Sequence, residues 1–429
     1  MLFEGAAKTE KPLILEVWKD GKKIYETSMP LKISGVEDMY RWVNLRDAAG
    51  GSESRATNIN EPANFPDNIS NGKDFIFVHG YSVSEKAARG WNAEMFKRLY
   101  QSGSNAMYTA VTWYGNQGQI PLTGGITPDY YQNVRNAFAT AAGLKVAVVN
   151  LPGANGKYIA GHSLGNMLVS SAIADSGLSV NAYFMLNAAV AQEAYDATVS
   201  QRDSMRHPDW AQYDTRLWAS EWYQLFPSGD ARSKLTWRNR FGNIANAYNY
   251  YSASEDVLTN GNGAIPSLSE SAWYNQEIRK GTFLMWLAPG NCEGGWGANN
   301  DYLLWTRDSI NALADNTDEH NAILRTDPYF NPFDNNGLFG NNGSAVADNP
   351  VVRAKILADA IPALSFAMGA NGLQKWNDES RNRNMELFKT ENMAWPDERG
   401  RWKHSDIKNV AFPFNYRLFE DIIITGGLK

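Results

Sequence analysis

The chain has 429 residues, of which 43% are hydrophobic and 20% are charged, as is ordinary for a globular protein. Acidic residues outnumber basic ones by 46 to 40 and no basic tract is present, which argues against nucleic acid as a partner. No stretch approaches the roughly 20 apolar residues of a membrane-spanning helix. Cys292 is the only cysteine, so an intramolecular disulfide and a cysteine-based metal cluster are excluded.

Residues 11–33 are predicted to form a β-hairpin. Two runs with strand-forming residues flank Asp20-Gly21, a pair that favours a tight turn. The segment that follows, up to about residue 60, is rich in Gly, Ser and Asn and is expected to be irregular. This region is interpreted as a small β appendage over residues 1–65. The tail of a larger β-domain, or extra strands on the main sheet, are the alternatives.

From about residue 70 the pattern changes to alternating strands and helices. Strands are predicted at residues 75–78, 107–113, 158–160, 182–186 and 246–251. Helices are predicted at residues 85–101, 129–150, 164–175 and 406–424. This alternation indicates an α/β fold with a mostly parallel sheet and helices on both faces.

Two long regions interrupt the alternation. Residues 190–240 and 258–400 hold most of the 15 tryptophans and are rich in Asn, Gly and Pro. We interpret the first as a cap-like insertion and the second as an insertion that forms a lid. The core would then occupy residues 66–257 and return at residues 401–429.

Gly161-His162-Ser163-Leu164-Gly165 fits the pattern G-x-S-x-G between an apolar strand and a helix. In such a turn the serine is strained and its hydroxyl projects above the sheet, while the flanking glycines let the strand and the helix approach closely. The helix N-terminus adds N–H donors and a partial positive charge. The motif predicts Ser163 as a nucleophile.

A second motif, His79-Gly80-Tyr81, follows the first apolar strand of this region. With both motifs the chain resembles the α/β-hydrolase superfamily, and within it the lipase-like esterases, over about residues 70–256 and 400–429. The resemblance implies that His79 and Gly80 shape the oxyanion loop, with a structural and not a catalytic role for His79.

The same resemblance implies that the backbone N–H groups of Tyr81 and Leu164 form the oxyanion hole. Donors of this kind stabilise the negative charge that develops on a carbonyl oxygen during acyl transfer.

The chain has only five histidines, which narrows the choice of base. The order of the family, in which serine precedes the acid and the acid precedes the histidine, removes His79 and His162. His404 lies just before the predicted terminal helix, where this fold presents its base. His207, within an insertion, and His320, in a charged run, are the alternatives.

Asp256 is the predicted acid, because it follows a strand in the segment where the family often carries its acid. Glu255 is the adjacent competitor. Asp256 and His404 are 148 residues apart, more than the family commonly needs, and a lid over residues 258–400 accounts for the separation.

The long insertion offers further candidates. Its tryptophans at positions 273, 286, 296, 305, 376 and 395 could line an aromatic pocket, although a core of the insertion itself is the favoured interpretation. The motif Glu293-Gly294-Gly295-Trp296 is a candidate loop near the cleft. Residues 334–337 favour a plain turn over a calcium loop, and no residues have zinc-ligand spacing. We therefore expect no metal and no cofactor.

Together these features predict a serine carboxylic-ester hydrolase that acts on a small-molecule or polymeric ester. An amidase, a peptidase or an acyltransferase with the same triad is one alternative, and a non-catalytic carbohydrate-binding or adhesion module is another. Residues 1–5 lack the regions of a secretion signal, which fits a cytoplasmic protein or one whose signal has been removed. The abundance of Asn, Gly, Trp and Tyr favours export.

Overall fold

A computed structural model describes most of the predicted core. The described residues are 8–31, 33–52, 55–116, 130–190, 194–195, 240–252, 378–390 and 402–429. Nearly all of the two predicted insertions lies outside these ranges, so the cap and the lid stay predictions. Five single residues discussed above also lie outside these ranges: Asp256, Glu255, His207, His320 and Cys292.

The predicted N-terminal hairpin is confirmed. Strand β1 (Leu13–Lys19) pairs antiparallel with β2 (Lys22–Met29). Asp20 and Gly21 join them with φ values of +49° and +74°, the positive angles that a tight hairpin turn requires. All 15 strand residues are exposed, and the hairpin forms a sheet of its own.

Seven parallel strands form the main sheet in the order β3-β5-β4-β6-β7-β8-β9. They are β3 (Arg41–Leu45), β4 (Asp74–Val78), β5 (Met107–Trp113), β6 (Lys157–His162), β7 (Ala182–Leu186), β8 (Ala247–Tyr251) and β9 (Asn382–Asn384). A parallel sheet places the carboxyl ends of its strands along one edge, which is where ligands bind in open α/β sheets.

Five α-helices connect or follow these strands in the described part of the chain. They are α1 (Glu85–Gln101), α2 (Tyr130–Asn150), α3 (Gly165–Ala174), α4 (Asp406–Asn409) and α5 (Phe412–Gly426). Helix α1 begins where the Ser84 hydroxyl accepts a hydrogen bond from the N–H of Ala87, and α5 ends at Gly427, whose φ is +60°. Within the described ranges, no helix is both long enough and apolar enough to cross a bilayer.

Both faces of the sheet are covered. All five side chains of β4 are buried, which requires packing on either side. Phe75 and Phe77 share a core cluster with Met95 of α1 and with Leu418 and Ile422 of α5. Helices α2 and α3 pack together, and they contact β3 and β6 respectively. Each fully buried side chain of this size stabilises the fold by about 1.5–3 kcal/mol.

Two strands of the sheet were not predicted. Strand β3 falls in the segment expected to be irregular, and it pairs with β5 although it lies within the predicted appendage. Strand β9, with the sequence Asn-Arg-Asn, lies within the predicted insertion and pairs with β8. The predicted terminal helix over residues 406–424 is in fact two helices, because Val410 and Ala411 are not helical, and Pro413 lies in the first turn of the second helix.

Arg98 of α1 is a buried side chain that bonds to the C-terminal segment. Arg98 donates hydrogen bonds to the side-chain oxygen of Asn415 at 2.8 Å and to the carbonyl of Val410 at 2.7 Å. Asn415 donates in turn to the carbonyl of Asp406 at 3.3 Å, and the carboxylate of Asp406 accepts from the N–H of Lys403 at 2.7 Å. These bonds fix the chain on both sides of residues 404 and 405.

At the amino end of β4 the carboxyl group of Asp74 is fully buried. It accepts hydrogen bonds from the Thr109 hydroxyl at 3.0 and 3.1 Å. Burial raises the pKa of Asp74 to about 7, although the Thr109 hydrogen bond acts in the opposite direction. An unfolded aspartate has a pKa near 4. Between these two values the folded protein holds a proton that the unfolded chain has released.

The free energy of unfolding should therefore fall as the pH rises from about 4 to about 7, by at most about 1.4 kcal/mol per pH unit from this group. Asp74→Asn keeps an acceptor for Thr109 and removes the titration, so its stability relative to wild type should increase across this interval. Urea unfolding at a series of pH values measures the difference, with Asp20→Asn in the exposed turn as the matched control. Parallel stability curves for Asp74→Asn and wild type would contradict the assignment.

Candidate active site

Ser163 stands in a strained turn between β6 and α3. Its φ is +52°, in the left-handed region that residues with a Cβ rarely adopt. The N–H of Ser163 donates to the carbonyl of Leu186 at 3.0 Å, and its carbonyl accepts from the N–H of Asn166 at 3.1 Å. Because both main-chain groups are bonded, the turn holds its unfavourable angle. Ser163 therefore lies at the carboxyl edge of the sheet, between the ends of β6 and β7.

The main chain around Ser163 leaves no room for side chains at three glycines. A Cβ on Gly80 would lie 2.7 Å from the Cβ of Ser163, and one on Gly161 would lie 2.8 Å from the side-chain oxygen of Asn166. A Cβ on Gly165 would meet the carbonyl oxygens of His79 and Val78. The two sequence motifs are thus in direct contact, which brings the loop after β4 against the serine turn.

His79 holds the loop after β4 to the end of β5. Its Nε2 accepts from the N–H of Trp113 at 3.2 Å, so Nδ1 carries the proton and donates to the carbonyl of Gly80 at 3.0 Å. The Trp113 indole N–H donates back to the carbonyl of His79 at 2.7 Å. Burial lowers the pKa of His79 to about 4, which keeps the ring neutral. Tyr81 follows directly in this loop.

Leu164 is fully buried and precedes the first residue of α3. Its N–H therefore belongs to the helix N-terminus, where main-chain donors are free of helical partners and the dipole favours negative charge. Gly80 lies between this turn and Tyr81. The predicted pair of oxyanion donors, Tyr81 and Leu164, thus flanks the same contact of the main chain.

His404 lies next to the serine turn, 241 residues further along the chain. Its ring centroid is 4.8 Å from that of His162, the residue before Ser163. Its carbonyl accepts hydrogen bonds from the Nε2 of His162 at 3.0 Å and from the Nδ2 of Asn187 at 3.1 Å. The structure thus places the predicted base against His162, the residue before the predicted nucleophile.

The predicted acid is not among the described residues. Strand β8 ends at Tyr251, and the described residues of this segment end at Ser252, shortly before Glu255 and Asp256. The strand lies beside β7, and the carbonyl of Tyr250 accepts from the N–H of Asn187 at 2.9 Å. The chain therefore leaves β8 at the same sheet edge that carries Ser163.

Sequence reasoning missed two side chains at this site. Asn187 directly follows the apolar strand β7 with a φ of +42°, and the ring of Trp91 packs 4.6 Å from that of His162. A polar residue at the carboxyl end of a buried strand was the available signal for Asn187. Among the described residues, no group of three His, Cys, Asp or Glu side chains could hold a metal ion.

A family model described as "Alpha/beta hydrolase family" matches residues 75–331, more than half of the chain. The chain therefore belongs to the alpha/beta hydrolase family, and this membership supports hydrolase activity. The predicted α/β-hydrolase fold is confirmed.

Among solved structures, the chain is similar to a lipase from Bacillus licheniformis, BlEst2, in its propeptide form. The sequences are 14% identical, the TM-score is 0.22, and the similarity covers 46% of this chain and 38% of the lipase. The chain thus spans well under half the length of that protein. No curated protein matches the chain.

The crowding at Gly165 makes a prediction for stability. The Cβ of Gly165→Ala would strike two main-chain oxygens, so we expect a loss of about 1–3 kcal/mol in the free energy of unfolding. Gly90→Ala on α1 is the matched control, because its Cβ would meet nothing within 4 Å and alanine favours helix by about 0.5–1 kcal/mol. Urea unfolding of both variants compares the two sites. Equal stabilities would show that the turn has room to relax.

The strain at Ser163 makes a second prediction. Ser163→Ala and Ser163→Gly both lack the hydroxyl, so their difference in stability reports the cost of a Cβ at a φ of +52°. We expect the glycine variant to be more stable than the alanine variant by about 1 kcal/mol. At Ser170, inside α3, the same pair should show the reverse order by about 1 kcal/mol. The same order at both positions, measured by thermal unfolding, would rule out strain at the turn.

Proposed function

We propose that the protein is a serine carboxylic-ester hydrolase. Ser163 attacks the ester carbonyl, and His404 accepts the hydroxyl proton and then delivers it to the leaving alcohol. Water then attacks the acyl-enzyme. His404 accepts a proton from this water and delivers it to the departing oxygen of Ser163. The proposed reaction needs neither a metal nor a cofactor.

The position of His404 against the turn that carries Ser163 supports the proposal, because the His404 ring lies 4.8 Å from that of His162. His404 is 241 positions from Ser163 in the sequence, yet the fold places it beside His162, which directly precedes the strained turn at Ser163. A strained non-glycine residue that persists against its own backbone preference is typical of a functional site.

The oxyanion hole is assigned to the main-chain N–H groups of Tyr81 and Leu164. Support comes from the contact of Gly80 with the serine turn and from the position of Leu164 before α3. Loss of one such donor typically costs about 10²–10³ in rate. The neutral His79, bonded to Gly80 and Trp113, stabilises the loop without taking part in proton transfer.

Asp256 is proposed as the acid that orients His404, with Glu255 as the alternative. Support comes from the course of β8, which leads the chain to the edge of the sheet that carries Ser163. A carboxylate there would hold the imidazole in the tautomer that accepts the serine proton and would stabilise the imidazolium.

The proposal predicts that Ser163→Ala loses the hydrolysis of p-nitrophenyl butyrate by about 10⁴-fold or more, since the nucleophile is removed. Release of nitrophenolate at 25 °C measures the rate. Ser28→Ala, at an exposed serine of β2, is the matched control and should retain the wild-type rate.

A fluorophosphonate probe tests the same serine without relying on a chosen substrate. We expect stoichiometric labelling of wild type, with the label on the peptide that contains Ser163, and no labelling of Ser163→Ala. Equal turnover by wild type and Ser163→Ala, or the absence of labelling in wild type, would refute the proposal and favour a binding module.

A further inference from the structure

The main-chain carbonyl of His404 accepts hydrogen bonds from two buried side chains. The donors are Nε2 of His162 at 3.0 Å and Nδ2 of Asn187 at 3.1 Å. His162 is 3% exposed and Asn187 is fully buried, so water does not compete readily for either bond. Both donors point to the same oxygen, although they come from the ends of two different strands.

The ring of His162 is fixed in the orientation that this bond requires. It lies between the ring of Trp91, 4.6 Å away, and the ring of His404, 4.8 Å away. Because Nε2 donates to a carbonyl, it carries the proton. Burial, reinforced by the neighbouring His404, lowers the pKa of His162 well below its usual range and keeps the ring neutral.

Asn187 adopts an unfavourable backbone conformation in the same place. Its φ is +42°, and its N–H donates to the carbonyl of Tyr250 at 2.9 Å. The preceding residue, Leu186, accepts the N–H of Ser163 at 3.0 Å. A non-glycine residue is strained in this region and persists when its surroundings hold it there. Asn187 thus bonds to His404 through its side chain and is adjacent in the chain to Leu186, the hydrogen-bond partner of Ser163.

We propose that His162 and Asn187 are positioning residues, which hold the main chain of His404 so that its imidazole keeps a fixed place relative to the Ser163 hydroxyl. The inference rests on the proposed function, in which Ser163 is the nucleophile and His404 the base. His162 directly precedes Ser163. Asn187 directly follows Leu186, whose carbonyl accepts from the N–H of Ser163. Each of the two links between the base and the nucleophile is therefore short. A displacement of about 1 Å in a catalytic group can cost about 100-fold in rate.

Three variants separate the hydrogen bonds from packing. His162→Phe keeps an aromatic ring against Trp91 and removes the donor, whereas His162→Gln restores an N–H near the position of Nε2. Asn187→Gly tolerates the positive φ and removes the other donor. Asn246→Gly is the matched control. Asn246 directly precedes β8, has a positive φ of +50°, and donates through its side chain to the carbonyl of Asn181 at 3.1 Å.

The measurements are kcat and KM for p-nitrophenyl butyrate, the rate and final extent of fluorophosphonate labelling, and the unfolding midpoint. We expect kcat of His162→Phe and Asn187→Gly to fall by about 10–100-fold, with KM nearly unchanged. Labelling should slow in parallel and still reach completion, which shows that the enzyme is folded. His162→Gln should recover most of kcat, and Asn246→Gly should match wild type.

Two results would overturn the inference. One is a wild-type kcat and labelling rate in His162→Phe and Asn187→Gly, even with a lower unfolding midpoint, since the bonds would then serve stability alone. The other is an equal loss of kcat in Asn246→Gly. If Ser163→Ala is inactive in the same assay, either result refutes the positioning role and leaves the proposed function intact. If Ser163→Ala is active, the positioning role and the proposed function are both refuted.

Discussion

The contact of three main-chain segments around Ser163 is the constraint on which the rest of the site depends. Glycines at positions 80, 161 and 165 allow the loop after β4, the end of β6 and the start of α3 to approach within distances that no Cβ permits. Ser163 adopts a left-handed conformation at this contact, and the proposed oxyanion donors Tyr81 and Leu164 directly follow Gly80 and Ser163 in the chain. His404 then reaches the same place because its carbonyl is bonded to His162 and Asn187.

Much of the fold could be predicted from the sequence, because buried parallel strands are continuous apolar runs. The predicted strand at residues 107–113 and the predicted helix at residues 85–101 match the observed bounds of β5 and α1. The edge strands β3 and β9 could not be predicted in this way. Strand β9 consists of three polar residues, and its place in the sheet comes from pairing with β8, which no local pattern reveals.

The candidate site was predictable where a local sequence motif is diagnostic of a backbone geometry. The glycines around Ser163 and beside His79 are examples, because each marks a position where a Cβ would collide with neighbouring atoms. His404 was reached through the small number of histidines and their order in the family. The roles of His162 and Asn187 were not predictable, because each donates to a carbonyl more than 200 residues away and nothing in the local sequence indicates that contact.

The attachment of the C-terminal segment has a consequence for how long the enzyme can work. His404 is carried by a segment that is linked to α1 by the hydrogen bonds of Arg98 to Asn415 and Val410. Proteins open locally at a smaller free-energy cost than that of global unfolding. Detachment of this segment alone would separate the proposed base from the proposed nucleophile while the sheet stays intact. The working lifetime can therefore be no longer than the lifetime of this docking, whatever temperature the sheet itself withstands.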